Sequence, residues 1–351
     1  MERQNLQPSV RDYCAAASKC QKDGRWFQAL SIFRELREAR LEADEVVYII
    51  GASACVKGTQ WQHALALFGE LREVGLEPSV PSCNVQVSAC EKGGKWQLAL
   101  SLLSVMREAA LEPNAISFSA GVSACGRGSL WEQAVSLLRE VLEKRLTRDS
   151  ILYCAGISAC EKGAQWQAAL SLLSESRAAA SEPDIITYSS TISACEKGSQ
   201  WQQALALLSE LQEVTMEPNL ISYNAGISAC GTCGRWQWVM TLLEDLCELS
   251  LEPNEITYSA SISACEKGGQ WQRALSLLRV MSETVLEPNS ISYSACMDAC
   301  QKGGQWALAL LLLCEVRERK LQPNSCNYEV GIGACEETGL WQQALSMYSE
   351  L

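Results

Sequence analysis

IITYSSTISACEKGSQWQQALALLSELQEVTMEPN, residues 185–219, carries the fold of the whole chain. Its first part places Ile185, Tyr188, Ile192 and Cys195 at helical spacing, one apolar stripe along one face. Gly198 follows, where a helix ending in a left-handed conformation is expected. Trp201, Ala204, Leu205, Leu208 and Leu211 then make a second stripe of helical period. Pro218 closes the stretch, because proline cannot continue a helix and disfavours helix in the residue before it. The stretch reads as helix, tight turn, helix, short loop.

On either side the same pattern recurs without one insertion. Trp26, Trp61, Trp96, Trp131, Trp166, Trp201, Trp236, Trp271, Trp306 and Trp341 stand 35 residues apart, and a cysteine precedes each by six residues, from Cys20 to Cys335. Position 1 of the repeat falls at Val10, Glu45, Val80, Ala115, Ser150, Ile185, Leu220, Glu255, Ser290 and Ser325. This divides the chain into the end of a truncated repeat (1–9), nine full repeats (10–324) and a partial tenth (325–351), in one continuous array expected to extend past both ends. One such hairpin cannot bury its apolar faces alone; stacked neighbours can. The expected fold is therefore all-α, an α-solenoid superhelix of tandem helix-turn-helix repeats. Alanine at position 10 and at position 20, each in nine of ten repeats, allows the close approach that stacking needs.

The 18 cysteines suggest a disulfide framework until their spacing is considered. Equivalent helices of successive repeats should lie at least about 8 Å apart, beyond the roughly 7 Å Cα limit for a disulfide. The comb cysteines are therefore expected as buried free thiols, which suit a reducing compartment. The longest uncharged apolar run, 307–314, is too short to span a bilayer. The opening MERQNLQPSV has neither the apolar core of a secretory signal nor the long Arg/Ser-rich character of a transit peptide. A net charge of −12 does not advertise nucleic-acid binding.

A 35-residue helical hairpin with Tyr at position 4 (Tyr13, Tyr48, Tyr153, Tyr188, Tyr223, Tyr258, Tyr293, Tyr328), Gly at 14 or 15 and Pro at 34 resembles the pentatricopeptide repeat, in a pure array of that length. The related tetratricopeptide repeat has 34 residues and generally binds peptides, and ten repeats in phase at 35 decide against it. The resemblance covers essentially the whole chain. It implies sequence-selective binding of single-stranded RNA, one nucleotide per repeat. The action would be steric, in RNA stabilisation, processing or translation in a plastid or mitochondrion.

In the first helix of each repeat, positions 2, 5, 9 and 13 fall within about 60° of one another, a stripe distinct from the buried one. The resemblance implies that position 2 wedges between bases: Val46, Ile116, Ile151, Ile186, Ile221, Ile256 and Ile291. It also implies that positions 5 and 35 read the base edge. The matching pairs are Asn84 with Asn114, Ser119 with Asp149, Ser189 with Asn219, Asn224 with Asn254, Ser259 with Asn289, and Ser294 with Asn324. Cys14, Ile49 and Cys154 at position 5 do not match. By resemblance the target is NNYGNAYAA. Position 35 residues are equally suited to cap the next helix. Position 13 carries Lys22, Lys57, Lys92, Arg127, Lys162, Lys197, Lys267 and Lys302, a row of cations for a phosphate backbone that would also suit the end of a helix dipole. Acids gather at positions 26 and 33, such as Glu70, Glu210, Glu77 and Glu252, which are expected to lie away from this stripe.

Catalytic chemistry finds no usual participants. The single His63 stands where other repeats mostly carry Gln, and the lone Cys230/Cys233 pair lacks a second ligand pair. No Gly-rich phosphate loop and no deaminase signature is present. The sequence therefore implies no enzyme, no cofactor, no metal and no small-molecule substrate. The rival to an RNA adaptor is a scaffold that grips proteins.

Overall fold

The computed structural model describes residues 10–38, 44–144, 150–179, 183–213, 216, 218–284, 286–319, 321 and 325–338. Among them are 19 α-helices and no strand. Each repeat supplies a leading helix from position 1, such as Ile185–Lys197, and a trailing helix from the comb tryptophan, such as Trp201–Glu213. The chain forms two compact bodies, residues 1–183 and 184–351.

The leading helices start where position 35 of the preceding repeat caps them. The side chains of Asp44, Asn114, Asp184, Asn219, Asn254 and Asn289 accept the backbone N–H three residues on, at 2.8–3.1 Å. Asn114, Asn219 and Asn254 complete reciprocal capping boxes with Ser117, Ser222 and Thr257. Removing one such cap costs about 1 kcal/mol.

The helices end differently from the expectation. Gly198 is not left-handed: it sits at φ −83°, and Ser199 after it takes φ 55°. The same holds at Gly58 and Thr59, at Gly128 and Ser129, and at Gly163 and Ala164, where the second residue is left-handed. The position 16 N–H reaches back to the comb cysteine carbonyl, as in Gln200 N to Cys195 O at 2.8 Å, and the position 15 N–H reaches the position 12 carbonyl. This is the Schellman pattern with its left-handed residue one place later than expected.

Glycine at position 14 answers to its neighbour instead. A Cβ on Gly58, Gly93, Gly128, Gly163, Gly268 or Gly303 would lie 2.2–2.6 Å from the ring of the preceding repeat's comb tryptophan. The tryptophan comb and the glycine comb are therefore two halves of one joint between repeats. Cations of the later repeat face these rings in several joints: Lys95 over Trp61, Arg235 over Trp201 and Arg273 over Trp236.

Within each body, successive leading helices pack on one another, and each trailing helix packs on its own leading helix and on the next one. Among the described residues no two trailing helices bring Cα atoms within 8 Å. Leading helices are thus close and trailing helices splayed, which puts the leading helices on the inside of each body's bend. The core runs between them: Tyr188, Ile192, Ala194, Cys195, Ala204, Leu208 and Leu211 are buried, and their equivalents recur along the chain. Leu207 is also buried while Leu205 is only half-buried, a shift of the second stripe by part of a turn. The comb cysteines Cys55 to Cys335 are buried free thiols. Burial pushes those of Cys55, Cys90, Cys125, Cys160, Cys195, Cys265 and Cys300 up to about 11, and that of Cys230 to about 12. No described helix is long and apolar enough to cross a membrane.

Candidate functional site

Large apolar side chains normally avoid water, so their placement on the leading helices is informative. Val46, Ile116, Ile151, Ile186, Ile221, Ile256 and Ile291 are all exposed, from 53% at Val46 to 70% at Ile151. They stand at the first turn of seven leading helices. Two pairs, one in each body, frame clefts. One, of about 260 Å³, lies between Ile116 and Ile151 with Ser119 inside it and Ser88 and Ser123 alongside. Another, of about 340 Å³, lies between Ile256 and Ile291 with Ser259, Asn289, Ser263 and Lys267 around it. Every lining residue of both clefts belongs to a leading helix or its cap. Each cleft thus has apolar walls from two successive repeats and hydrogen-bonding groups between them.

Position 5 lies deeper than a stripe drawn on one helix suggests. Asn84, Ser189 and Ser294 are buried, and their polar groups have protein partners. Asn84 Nδ2 donates to Asn114 Oδ1 at 3.2 Å, and Asn84 Oδ1 accepts from the Ser117 hydroxyl. Asn224 repeats this: Nδ2 donates to Asn254 Oδ1 at 3.4 Å, and Oδ1 accepts from Thr257 Oγ1 at 2.6 Å. Serine behaves otherwise. Ser189 and Ser294 donate to the carbonyls of Ile185 and Ser290, four residues back, at 2.7 and 2.8 Å. Ser259 shares a hydrogen bond with Ser292 at 2.8 Å. Position 35 residues are caps first: the carbonyl oxygens of Asn114, Asn219, Asn254 and Asn289 are occupied by the helices they start. The amide of Asn289 also donates to Glu255 Oε1 at 2.6 Å. Ser119 lies in the first cleft, while Asp149 and Asn324 fall outside the described residues. Among the unmatched repeats, Ile49 and Cys154 are half-buried. Burial, and then the Asp44 charge, raise the Cys14 thiol above its ordinary value.

All eight cations at position 13, from Lys22 to Lys302, are exposed at the far end of their leading helices. Their surroundings correct the expected segregation of charge. At two of them position 12 of the preceding repeat brings an acid alongside: Glu91 lies 3.7 Å from Arg127, and Glu266 lies 2.6 Å from Lys302. Glu196, also at position 12, accepts from Ser228 at position 9 at 2.5 Å. Acids at position 26 do face elsewhere, since Glu210 and Glu315 accept from the hydroxyls of Tyr188 and Tyr293 in the core of their own repeats. Arg127 and Lys302 thus share their charge with a carboxylate of the repeat before.

Two features of this surface escape a stripe drawn on one isolated helix, because both belong to the adjoining repeat. One is the position 3 hydroxyl that meets the position 5 side chains of Asn84, Asn224 and Ser259, and the other is the position 12 acid beside Arg127 and Lys302. His63 is exposed with its ring 5.9 Å from that of Trp26, and Cys233 donates weakly to the Ser199 carbonyl while Cys230 is buried.

Comparison with known proteins follows the same repeats. A family model for the pentatricopeptide repeat domain matches residues 66–128, 136–233 and 241–303, and a single-repeat model of that family matches 291–321. No match is found among curated protein sequences. The crystal structure of the pentatricopeptide repeat protein PPR10 in complex with an 18-nucleotide psaJ RNA element is similar at TM-score 0.72 and 16% identity, over 98% of this chain and 55% of that one. The structure of PPR10 from maize is similar at TM-score 0.57 and 20% identity, over 99% of this chain and 59% of that one. The chain thus spans little more than half the length of these proteins, and at such identities the likeness is one of fold.

Proposed function

The chain belongs to the pentatricopeptide repeat family, and from that premise we propose that it binds single-stranded RNA by holding one base in each cleft between successive leading helices. The observation that carries this is the alternation of exposed Ile walls with half-buried hydrogen-bonding groups between them, Ser119 in one cleft and Ser259 and Asn289 in the other. A base has two flat faces for the walls and one polar edge for the groups between them. A β-branched wall has few rotamers to lose when a base packs on it.

Residues 10–324, taken as nine full repeats, would read nine nucleotides, NNYGNAYAA. The pairs from Asn84/Asn114 to Ser294/Asn324 would select bases, and the position 13 cations would attract the backbone. Because acids at position 12 share Arg127 and Lys302, affinity should be modest and salt-sensitive. The action we assign is steric: coating a stretch of transcript against nucleases or against self-pairing. A plastid or mitochondrial location rests on family membership alone.

The test is selection from a random RNA pool, repeated with Asn224→Ser. Recovery of a motif whose seventh nucleotide changes with that substitution supports base reading. Recovery of no motif, or capture of protein rather than RNA by the same surface, overturns it.

A further inference from the structure

Resting on this RNA reading, we propose that the position 3 hydroxyl of the following repeat is a positioning residue that decides which end of a position 5 amide faces a bound base. The residues are Thr257 behind Asn224 and Ser117 behind Asn84. An asparagine amide turned by 180° exchanges a donor for an acceptor at almost no change in shape, so the reading of a base depends on what holds the amide.

Thr257 Oγ1 accepts the Asn254 backbone N–H at 3.1 Å, which leaves its single proton to donate. Asn224 Oδ1 lies at 2.6 Å, nearer than Asn254 Oδ1 at 2.9 Å. Asn254 Oδ1 already accepts the Thr257 N–H at 3.0 Å and Asn224 Nδ2 at 3.4 Å. The amide oxygen of Asn224 is thereby turned inward, and its remaining N–H is what it can offer outward. The same arrangement stands independently around Asn84: Asn114 N donates to Ser117 Oγ at 3.1 Å, Ser117 donates to Asn84 Oδ1, and Asn84 Nδ2 donates to Asn114. Thr257 and Ser117 are wholly buried, so they act on a ligand only through the asparagine.

Asparagine repeats therefore present a donor, which suits the keto oxygens of a pyrimidine edge. Where position 5 is Ser189, the hydroxyl proton goes to its own helix at Ile185, and lone pairs remain for an amino-bearing purine edge. Ser222 behind Ser189 completes a capping box like that of Thr257. It is the natural control, with the cap but no amide to orient.

Two RNAs carrying the nine-nucleotide motif and differing only in U or A at the seventh nucleotide are titrated by fluorescence anisotropy. Thr257→Val should lower the U-over-A preference by about fivefold, the range of one oriented hydrogen bond. Thr257→Ser should restore it. Ser222→Ala should lose a comparable cap, visible as a similar fall in Tm, yet keep the preference within about twofold of the unsubstituted protein. If Thr257→Val does not fold, Ser117→Ala with U or A at the third nucleotide asks the same question. A Thr257→Val protein with unchanged preference, or a Ser222→Ala protein with equal loss, overturns the positioning role and leaves RNA binding standing. An unsubstituted protein that binds neither RNA, or both equally, overturns base reading itself and the positioning role with it.

Discussion

Gly268→Ala probes the joint between repeats. The new Cβ would lie 2.2 Å from Trp236 Cδ1, 3.0 Å from its Cγ and 3.2 Å from the Ala264 carbonyl. Ordinary carbon contacts sit near 3.5–4.0 Å, so the ring must shift by roughly 1.5 Å. The backbone is not at issue, because φ of −82° suits any residue. Overpacking of this kind costs about 1–3 kcal/mol, and the ring would also slide off the Arg273 guanidinium now 4.2 Å from its centre. Against this, alanine removes some freedom from the unfolded chain, a gain of about 0.4–1 kcal/mol. The expected net loss is about 1–2 kcal/mol. One repeat already carries a side chain at position 14, Cys233, and there the guanidinium of Arg235 stands farther from its ring, Trp201, at 5.1 Å.

The comparison that isolates the cause is Gly269→Ala. That residue has φ +68°, and a Cβ added there would meet nothing within 4 Å, so its cost is conformational, about 1–2 kcal/mol, and owes nothing to Trp236. Ala164 and Ser199 already hold the same conformation at φ 53° and 55°. Urea unfolding followed by circular dichroism measures both variants, with Trp236→Ala and the Gly268→Ala/Trp236→Ala double variant completing a cycle. The single losses should fail to add by about 1 kcal/mol. Simple additivity in that cycle, or equal coupling of Gly269→Ala to Trp236→Ala, would refute the joint.

Other expectations concern the groove and the thiols. Ile256→Ala and Ile291→Ala should leave Tm within about 2 °C, as suits exposed residues, yet weaken RNA binding several-fold in a filter-binding assay; an equal loss from truncating exposed Leu311, on a trailing helix, would contradict the assigned walls. Lys302→Met should flatten the slope of log affinity against log salt by about 0.7, and Glu266→Gln should raise affinity at low salt by freeing Lys302; no change from either would remove that pair from the backbone path. The buried cysteines titrate at about 11, above the ordinary 9.0, so the folded chain holds protons that the unfolded chain releases. Stability from these thiols is therefore full below pH 9 and falls as pH rises toward 11; a urea midpoint that stays constant from pH 8 to about 10.5 would count against their burial.

The repeat, its two helices and the buried cysteine comb were legible because each depends on periodicity along one chain segment. So was the exposure of the position 2 isoleucines, which follows from their angle to the Tyr188–Ile192–Cys195 stripe. What spacing could not supply were relations across a repeat boundary. Gly198 looked like a left-handed terminator because glycine usually is one, whereas Gly58 and Gly268 show that a tryptophan from the repeat before is the reason. The pairing of Arg127 with Glu91 was hidden likewise, since their separation of one repeat plus one residue has no meaning until the helices stack. Asn84 appeared free to reach a base, but its amide is held by Asn114 and Ser117 of the next helix.

Because the joints at Gly58, Gly93, Gly128, Gly163, Gly268 and Gly303 each take a ring from one hairpin and an uncluttered backbone from its successor, a hairpin of this kind carries both a plug and a socket. Hairpins so built are interchangeable parts. Excising residues 220–254 would join Asn219 to Glu255 in phase and place the glycine of Gly268 where Cys233 now follows Trp201 in the comb. A gene assembled this way can lengthen or shorten by whole modules through unequal recombination without redesigning a core.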